Sequence, residues 1–410
     1  VVSVAQRSTN EEAKKGRILP SKSKKEDAQR KNAEVDAKEL IGLQLATTSE
    51  QLLWQHGAVV IHGTTPETSY KNKQHDAPEP SSSTDGMSAS EALSKIVVAK
   101  SKANATVELM RPWQRDVPVL LATKSIQSIQ VLSSYNRKSG DDRVLVSQDR
   151  QGILLRGKVS MVLGKERSQS EVFAPIEADD ELKYKDARGV GRLSEYLYWQ
   201  MLEAGLRLTP TAGNDFGANE THLGYNRVYV YSEEFPTEAS WWDSIQLGRT
   251  VVTNGPLLRV SVNSLPPGSV QASYRGQSIP LDIQASLTVR DPVDYLDVVF
   301  NGETIYSARL EDHYRRGEFP PLGIEKSGWL VIRVVTAHAG GYRLATTAPF
   351  YFEFDGKPRI SKQAVQFFKR WLELSKMSIS TDPTESQRLT GWIAQADQFW
   401  AQQETQCNAE

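Results

Sequence analysis

The stretch Ser194-Glu195-Tyr196-Leu197-Tyr198-Trp199-Gln200-Met201-Leu202-Glu203-Ala204-Gly205-Leu206-Arg207-Leu208, followed by Thr209-Pro210-Thr211-Ala212-Gly213, sets a helix beside a strand in one short span. Ser194 reads as an N-cap, Glu195–Ala204 spaces its apolar side chains at the helical period, and Gly205 is a stop signal. Leu206–Leu208 then reads as a short strand feeding a Thr-Pro-Thr-Ala-Gly turn. The same alternation follows: Arg227–Tyr231 has the texture of a strand, and Thr237–Leu247 reads as a helix ended by Gly248. Helices alternating with short apolar strands predict an α/β architecture.

Toward the N-terminus the pattern continues with more interruptions. Ser49–Gln55 reads as a short helix, stopped by Gly57 and followed by the apolar run Ala58-Val59-Val60-Ile61, which suits a buried strand of a parallel sheet, with His62 at its end. Residues 66–90 are Pro, Ser, Asp and Lys without periodicity, which predicts a long mobile insertion. A helix is expected over Ser90–Ala99, then strand-like runs at Thr106–Leu109, Val117–Ala122 and Ile126–Leu132. Residues 138–185 read as polar and irregular around the apolar Val159–Leu163.

After Asn254-Gly255-Pro256 the texture becomes all-β. Runs at Leu257–Val262, Ile279–Val289, Leu296–Phe300, Trp329–Thr336 and Phe350–Phe354 are separated by turn residues, and Asn301-Gly302 is a strong hairpin signal. This spacing predicts a small β-sandwich over 255–357. The end is helical again: Ser361 opens a helix with Val365, Phe368, Trp371 and Leu372 on one stripe. Asp382, Pro383 and Glu385 supply N-cap, first-turn proline and third-position acid for a second helix carrying Leu389, Trp392, Ile393, Ala396 and Trp400. Residues 358–410 should form a helical hairpin packed on the body.

Composition narrows the function classes. The chain has 410 residues, 39% hydrophobic and 24% charged, with a formal net charge of −1. That length predicts more than one packed unit. The charge balance gives no pull toward nucleic acid. No run approaches the roughly 18 apolar residues of a spanning helix. The single cysteine, Cys407, excludes an intrachain disulfide framework and is too terminal for an attractive nucleophile. Residues 1–39, basic and without interleaved aromatics, read as a solvated tail rather than an arm for an acidic partner. The opening Val-Val-Ser-Val lacks a methionine, as expected of a processed product or fragment, and the compartment stays open.

Two places suggest chemistry. Gly213-Asn214-Asp215-Phe216-Gly217 follows a strand-like run, and an aspartate at such a strand end is either a metal ligand or part of a turn. His62 at a strand end is either an imidazole donor to zinc, manganese or iron, or a hydrogen-bonded structural residue. The six histidines are scattered, without His-x-His or His-Glu-x-x-His. Phosphate-loop, nucleophile-elbow and dinucleotide fingerprints are all missing, so no nucleotide cofactor is expected. Glu108 and Asp116 bracket Arg111-Pro112-Trp113 and read as exposed ion pairing.

The runs Tyr198–Gly213, Gly224-Tyr225-Asn226-Arg227 and Gly248–Pro256 resemble the CehA/McbA-like metallohydrolases of the PHP (polymerase and histidinol phosphatase) superfamily, especially the large planctomycete-type proteins. The likeness extends to Arg111–Pro118, Ser125–Arg137, Arg343–Tyr351 and Ile360–Phe368. It implies a distorted β/α barrel over 40–254 that hydrolyses an ester, phosphoester or amide/carbamate bond of a small molecule through metal-activated water. The first family signature, His-x-His, has no counterpart, and the late Gly-x-Asp-x-His reads with Gly217 in place of its histidine. Tyr135 stands where relatives often carry another. The resemblance thus implies a partial or degenerate barrel, with Asp215 and His62 as the remaining candidate ligands of a divalent Zn, Mn or Fe. The alternative reading is a non-catalytic barrel that binds a protein or carbohydrate, with Trp241 and Trp242 either packed or at its surface.

Overall fold

The structure, a computed structural model, describes residues 3–7, 49–63, 87–102, 105–133, 144–148, 155–163, 166–172, 174–176, 184, 188–214, 224–232, 237–289, 291–309, 319–338, 341–379 and 382–410. It is a mixed α/β protein with several sheets and, among the described residues, six helices and no closed barrel. The chain order opens with β1 (Ser3–Arg7), β2 (Ser49–Trp54), β3 (Gly57–His62), α1 (Ala89–Lys100), β4 (Thr106–Leu109), α2 (Val117–Ala122) and β5 (Ser128–Leu132). Strands β6 (Val144–Gln148), β7 (Leu155–Leu163) and β8 (Glu166–Val172) precede α3 (Gly189–Glu203) and β9 (Thr209–Ala212). Strands β2-β3-β4-β5-β9 form one five-stranded sheet, and β6-β7-β8 a separate antiparallel one.

The second half comprises β10 (Arg227–Ser232), α4 (Glu238–Gln246), β11 (Thr250–Thr253), β12 (Leu257–Val262), β13 (Val270–Ser273), β14 (Ile279–Pro280), β15 (Ile283–Thr288), β16 (Val293–Phe300) and β17 (Glu303–Ala308). It ends with β18 (Gly323–Ile324), β19 (Gly328–Thr336), β20 (Leu344–Thr347), β21 (Phe350–Phe354), α5 (Lys362–Ile379) and α6 (Pro383–Thr405). A nine-stranded sheet runs β1-β10-β11-β20-β19-β16-β17, with β21 and β13 branching from β19. It crosses the boundary expected near Asn254, because β11 pairs with β20 on the far side of that position. Asn301 and Gly302 both take positive φ and close the β16–β17 hairpin, as their sequence predicts.

Three apolar clusters hold these layers together. The largest joins β2–β5 to α1, α2, α3, α5 and α6, and reaches Val299, Trp329 and Val331 of the nine-stranded sheet. A second lies between that sheet and the β12–β15 pair, and a third gathers Leu132, Val228, Val252, Ile245 and Leu344. The C-terminal hairpin has the expected stripe: Val365, Phe368, Trp371 and Leu372 are buried, and Asp382 accepts from the amides of Thr384 and Glu385 at the start of α6. Its far end is clipped to its base, where Asn408 Nδ2 donates to Pro358 and Ala409 bridges to Ser361. No helix among the described residues is long and apolar enough to cross a membrane.

Several local expectations are corrected. Ser49–Trp54 is a strand, not a helix, because it pairs antiparallel with β3 through a tight Gln55-His56 turn. Trp54 folds over Gly57, where a Cβ would sit 1.9 Å from the indole, so the glycine admits the ring rather than stopping a helix. Strand β3 is antiparallel to both neighbours, so its continuous apolar run reflects burial and not parallel pairing. Val117–Ala122 is a helix whose first turn takes Pro118. Helix α3 begins at Gly189, and Ser194 lies inside it, bonding back to Val190. Thr209–Ala212 is a strand rather than a turn. Strands β6–β8 lie in the segment expected to be irregular, and β7 takes in its apolar run Val159–Leu163. Ser3–Arg7, within the segment read as a tail, pairs parallel with β10, while the rest of that segment and most of the 66–90 insertion lie outside the described residues.

Candidate functional site

The five-stranded sheet has two unlike faces. Directly paired residues share a face, and the pairs Leu52–Val59, Val59–Leu109 and Leu109–Ile129 line the apolar side against the helices. The other side carries Gln51, Val60, Glu108, Ser128 and Thr209 in one row, Ser49, His62 and Thr106 in the next, and Gln130 with Thr211 beyond. That side is polar, yet His62, Thr106, Glu108, Ser128, Gln130, Thr209 and Thr211 are all buried. Buried polar groups require partners, so this face has to be organised. Helix α4 covers part of it: Thr209 Oγ1 donates to Ile245 O at 2.7 Å, and Gln246 Nε2 to Thr106 Oγ1 at 3.2 Å.

A diagonal line of side chains crosses this face. Ser49 Oγ and His62 Nδ1 are 2.8 Å apart, His62 Nε2 lies 3.6 Å from Glu108 Oε2, and Gln130 Nε2 donates to Glu108 Oε1 at 2.5 Å. Trp242 leans on the imidazole, with ring centroids 4.9 Å apart, and meets Trp241 edge-on. Both tryptophans are partly buried and pack on the third apolar cluster. Burial pushes the Glu108 carboxyl up, but the hydrogen bond and charge of His62, with the amide of Gln130, outweigh it and hold the group below its ordinary 4.5. Glu108 is therefore an ionised, acceptor-only carboxylate at neutral pH. His62 thus presents Nε2 toward this carboxylate and Nδ1 toward the Ser49 hydroxyl, and the tautomer of the ring sets which of Ser49 and Nδ1 donates. The Ser128 hydroxyl is buried on the same face with no hydrogen-bond partner.

A folded-state value below 4.5 means that Glu108 contributes stability above pH 4.5, and that this contribution is lost as pH falls through its lower native value. Urea denaturation of the parent chain should therefore steepen its pH dependence below 4.5 relative to Glu108→Gln. The difference in slope is bounded by one proton, about 1.4 kcal/mol per pH unit. Parallel stability curves for the two proteins would show that Glu108 is not held ionised by these contacts.

The sequence candidates are placed as follows. His62 belongs to this line, at the end of β3 that pairs with Thr106 at the start of β4. Gly213 and Asn214 follow the C-terminal end of β9, which runs parallel to β5 and β4, so they sit at the opposite end of the sheet. There Asn214 accepts from Asn226 N at 2.8 Å and donates to Asn226 O at 3.0 Å, while Asn226 Nδ2 donates to Gly213 O at 2.7 Å. Gln130 reaches over Gly213, where a Cβ would lie 2.7 Å from its amide. Asp215, Gly217 and Tyr135 lie outside the described residues. Glu108 and Asp116 correct the expectation of exposed ion pairing: both are buried, Asp116 accepting from Trp54 Nε1 at 2.8 Å and from Arg115.

His62, one of the two candidate metal ligands, has a neighbour at each ring nitrogen. Both ring nitrogens are engaged, one with Ser49 and one facing Glu108, and the other oxygen of Glu108 is held by Gln130. Among the described residues no three of His, Cys, Asp and Glu converge. Ser49, Glu108, Gln130 and Thr211 were not candidates from the sequence, although a signal for three of them existed. Thr106-Val-Glu-Leu, Ser128-Ile-Gln-Val and Thr209-Pro-Thr each alternate polar with apolar residues, which announces a sheet with one polar face. Compared with known proteins, the chain matches no family model, no curated protein and no solved structure at a significant level.

Proposed function

We propose that this chain is a hydrolase of neutral acyl bonds, ester or amide, of the PHP-like ancestry its sequence resembles. In this reading the open five-stranded sheet is the remnant of the barrel and its polar face the former interior. His62 acts as the general base and Glu108 stabilises the imidazolium that forms. One observation carries the reading: a buried carboxylate held ionised against an imidazole on an interior face, where a purely structural sheet would bury apolar side chains. Charge narrows the substrate. No strand position on that face is Lys or Arg, and the fixed charge is the anion of Glu108. A phosphoester needs cations to neutralise its oxygens, so a neutral carbonyl compound suits the face better.

The test is a panel of neutral nitrophenyl esters and anilides beside a phosphomonoester. Turnover of the neutral compounds alone is expected, with His62→Gln lowering kcat/KM by about 10²–10⁴-fold. Elemental analysis of the purified chain should find well under one equivalent of zinc, manganese or iron. A tightly bound metal released by Asp215→Ala would overturn this metal-independent version and restore the metal-activated water that the resemblance implies. A second reading, a binding module on a degenerate barrel, is favoured by Trp242 resting on His62 and closing the face. Inactivity toward every acyl compound would select it.

A further inference from the structure

The exposed end of the polar line invites a sharper assignment. Ser49 is exposed on β2, an edge strand of the five-stranded sheet among the described residues, and its hydroxyl oxygen lies 2.8 Å from His62 Nδ1. Behind it the acid member, Glu108, is buried and fixed by Gln130. The order hydroxyl, imidazole, carboxylate, running from solvent inward, is the arrangement by which a weak alcohol is made nucleophilic. The bland alternative is an ordinary hydroxyl capping a buried histidine. That would leave no reason to anchor the other ring nitrogen on a desolvated carboxylate, an expensive group to bury.

The geometry points to Ser49 as a covalent nucleophile, acylated by a neutral ester or amide and activated by His62, with Glu108 as the positioning residue. The inference rests on the hydrolase reading of this same face. In the first step Ser49 Oγ gives its proton to His62 Nδ1 while bonding to the substrate carbonyl carbon. Collapse of the adduct breaks the bond to the leaving alcohol or amine, which takes that proton from His62, and an ester remains on Ser49. Water then adds in the same way, His62 again taking its proton, and Ser49 leaves with the proton returned as the carboxylic acid is released. Gln51 lies two residues along the same face, and its amide rests on the thioether of Met110, a weak acceptor, at 3.2 Å.

A fluorophosphonate probe with intact-mass and peptide analysis reads this directly. One adduct on Ser49 is expected, absent from Ser49→Ala and formed at least about 100-fold more slowly in His62→Gln, with thermal melts confirming that both variants fold. Ester turnover is measured on the same samples. Turnover without an adduct on Ser49 overturns the nucleophile and leaves the hydrolase reading intact. An adduct without turnover of any acyl compound keeps the nucleophile and overturns the hydrolase reading. Labelling that persists in Ser49→Ala, or no labelling and no turnover, overturns the assignment.

Discussion

Replacing Arg115 with alanine is expected to lower stability by about 3–5 kcal/mol, the effect of removing one member of a buried charge network. Arg115 is 1% exposed and spends its guanidinium on two carboxylates. It donates to Asp116 through Nε at 2.7 Å and to both oxygens of Glu385, at 3.1 and 2.8 Å, at the start of α6. Its carbonyl accepts from Ser375 of α5 at 2.6 Å, so one residue fastens both helices of the C-terminal hairpin to the segment before α2. Alanine would leave Asp116 desolvated with the indole of Trp54 as its one side-chain donor among the described residues. Glu385 is a quarter exposed and can rehydrate, so Glu385→Gln should cost only about 1–2 kcal/mol. Equal losses for the two variants in urea denaturation would show that burial of Arg115 is not what makes the network costly to break.

The second large effect is expected at Trp400, where alanine should cost about 3–5 kcal/mol. The indole is fully buried, lies parallel to Phe368 with centroids 4.8 Å apart, and donates from Nε1 to Pro118 O at 3.1 Å. Trp400→Phe keeps most of the ring contact and removes the buried hydrogen bond to the Pro118 carbonyl, so it should cost about 1–2 kcal/mol. Thermal melts and near-ultraviolet dichroism separate the two. A loss below about 1 kcal/mol for Trp400→Ala would mean that the α2–α6 seam repacks freely. Because Arg115 and Trp400 tie α6 to the same short stretch around α2, their losses should not simply add.

How much of this was legible depends on the range of the forces involved. The hairpin helices were readable because caps and apolar stripes are local, and Asn301-Gly302 because a two-residue turn needs its own φ values. Ser49–Gln55 and Val117–Ala122 were misread because short apolar runs fit either period, and pairing with β3 or packing under α6 decides between them. His62 was visible as a residue type, but its role depends on Ser49, Glu108 and Gln130, which meet it only through strand pairing. Register, not sequence separation, assembles that line, and no single segment announces it. Asp116 is the clearest case: its charge suggested solvent, whereas it is buried against Arg115, whose other partner, Glu385, lies far along the chain.

The strand pairing across Asn254 carries a consequence for how such a chain can be inherited. Strands β10 and β11 come from one side of that position and β20, β19 and β16 from the other, yet they are hydrogen-bonded neighbours in one sheet. The change in texture at Asn254-Gly255-Pro256 therefore marks a change of layer and not a seam for recombination. Shuffling that separated the halves would strip backbone partners from both, so the α/β half and the β half are expected to travel together through gene duplication and fusion, as a single heritable unit.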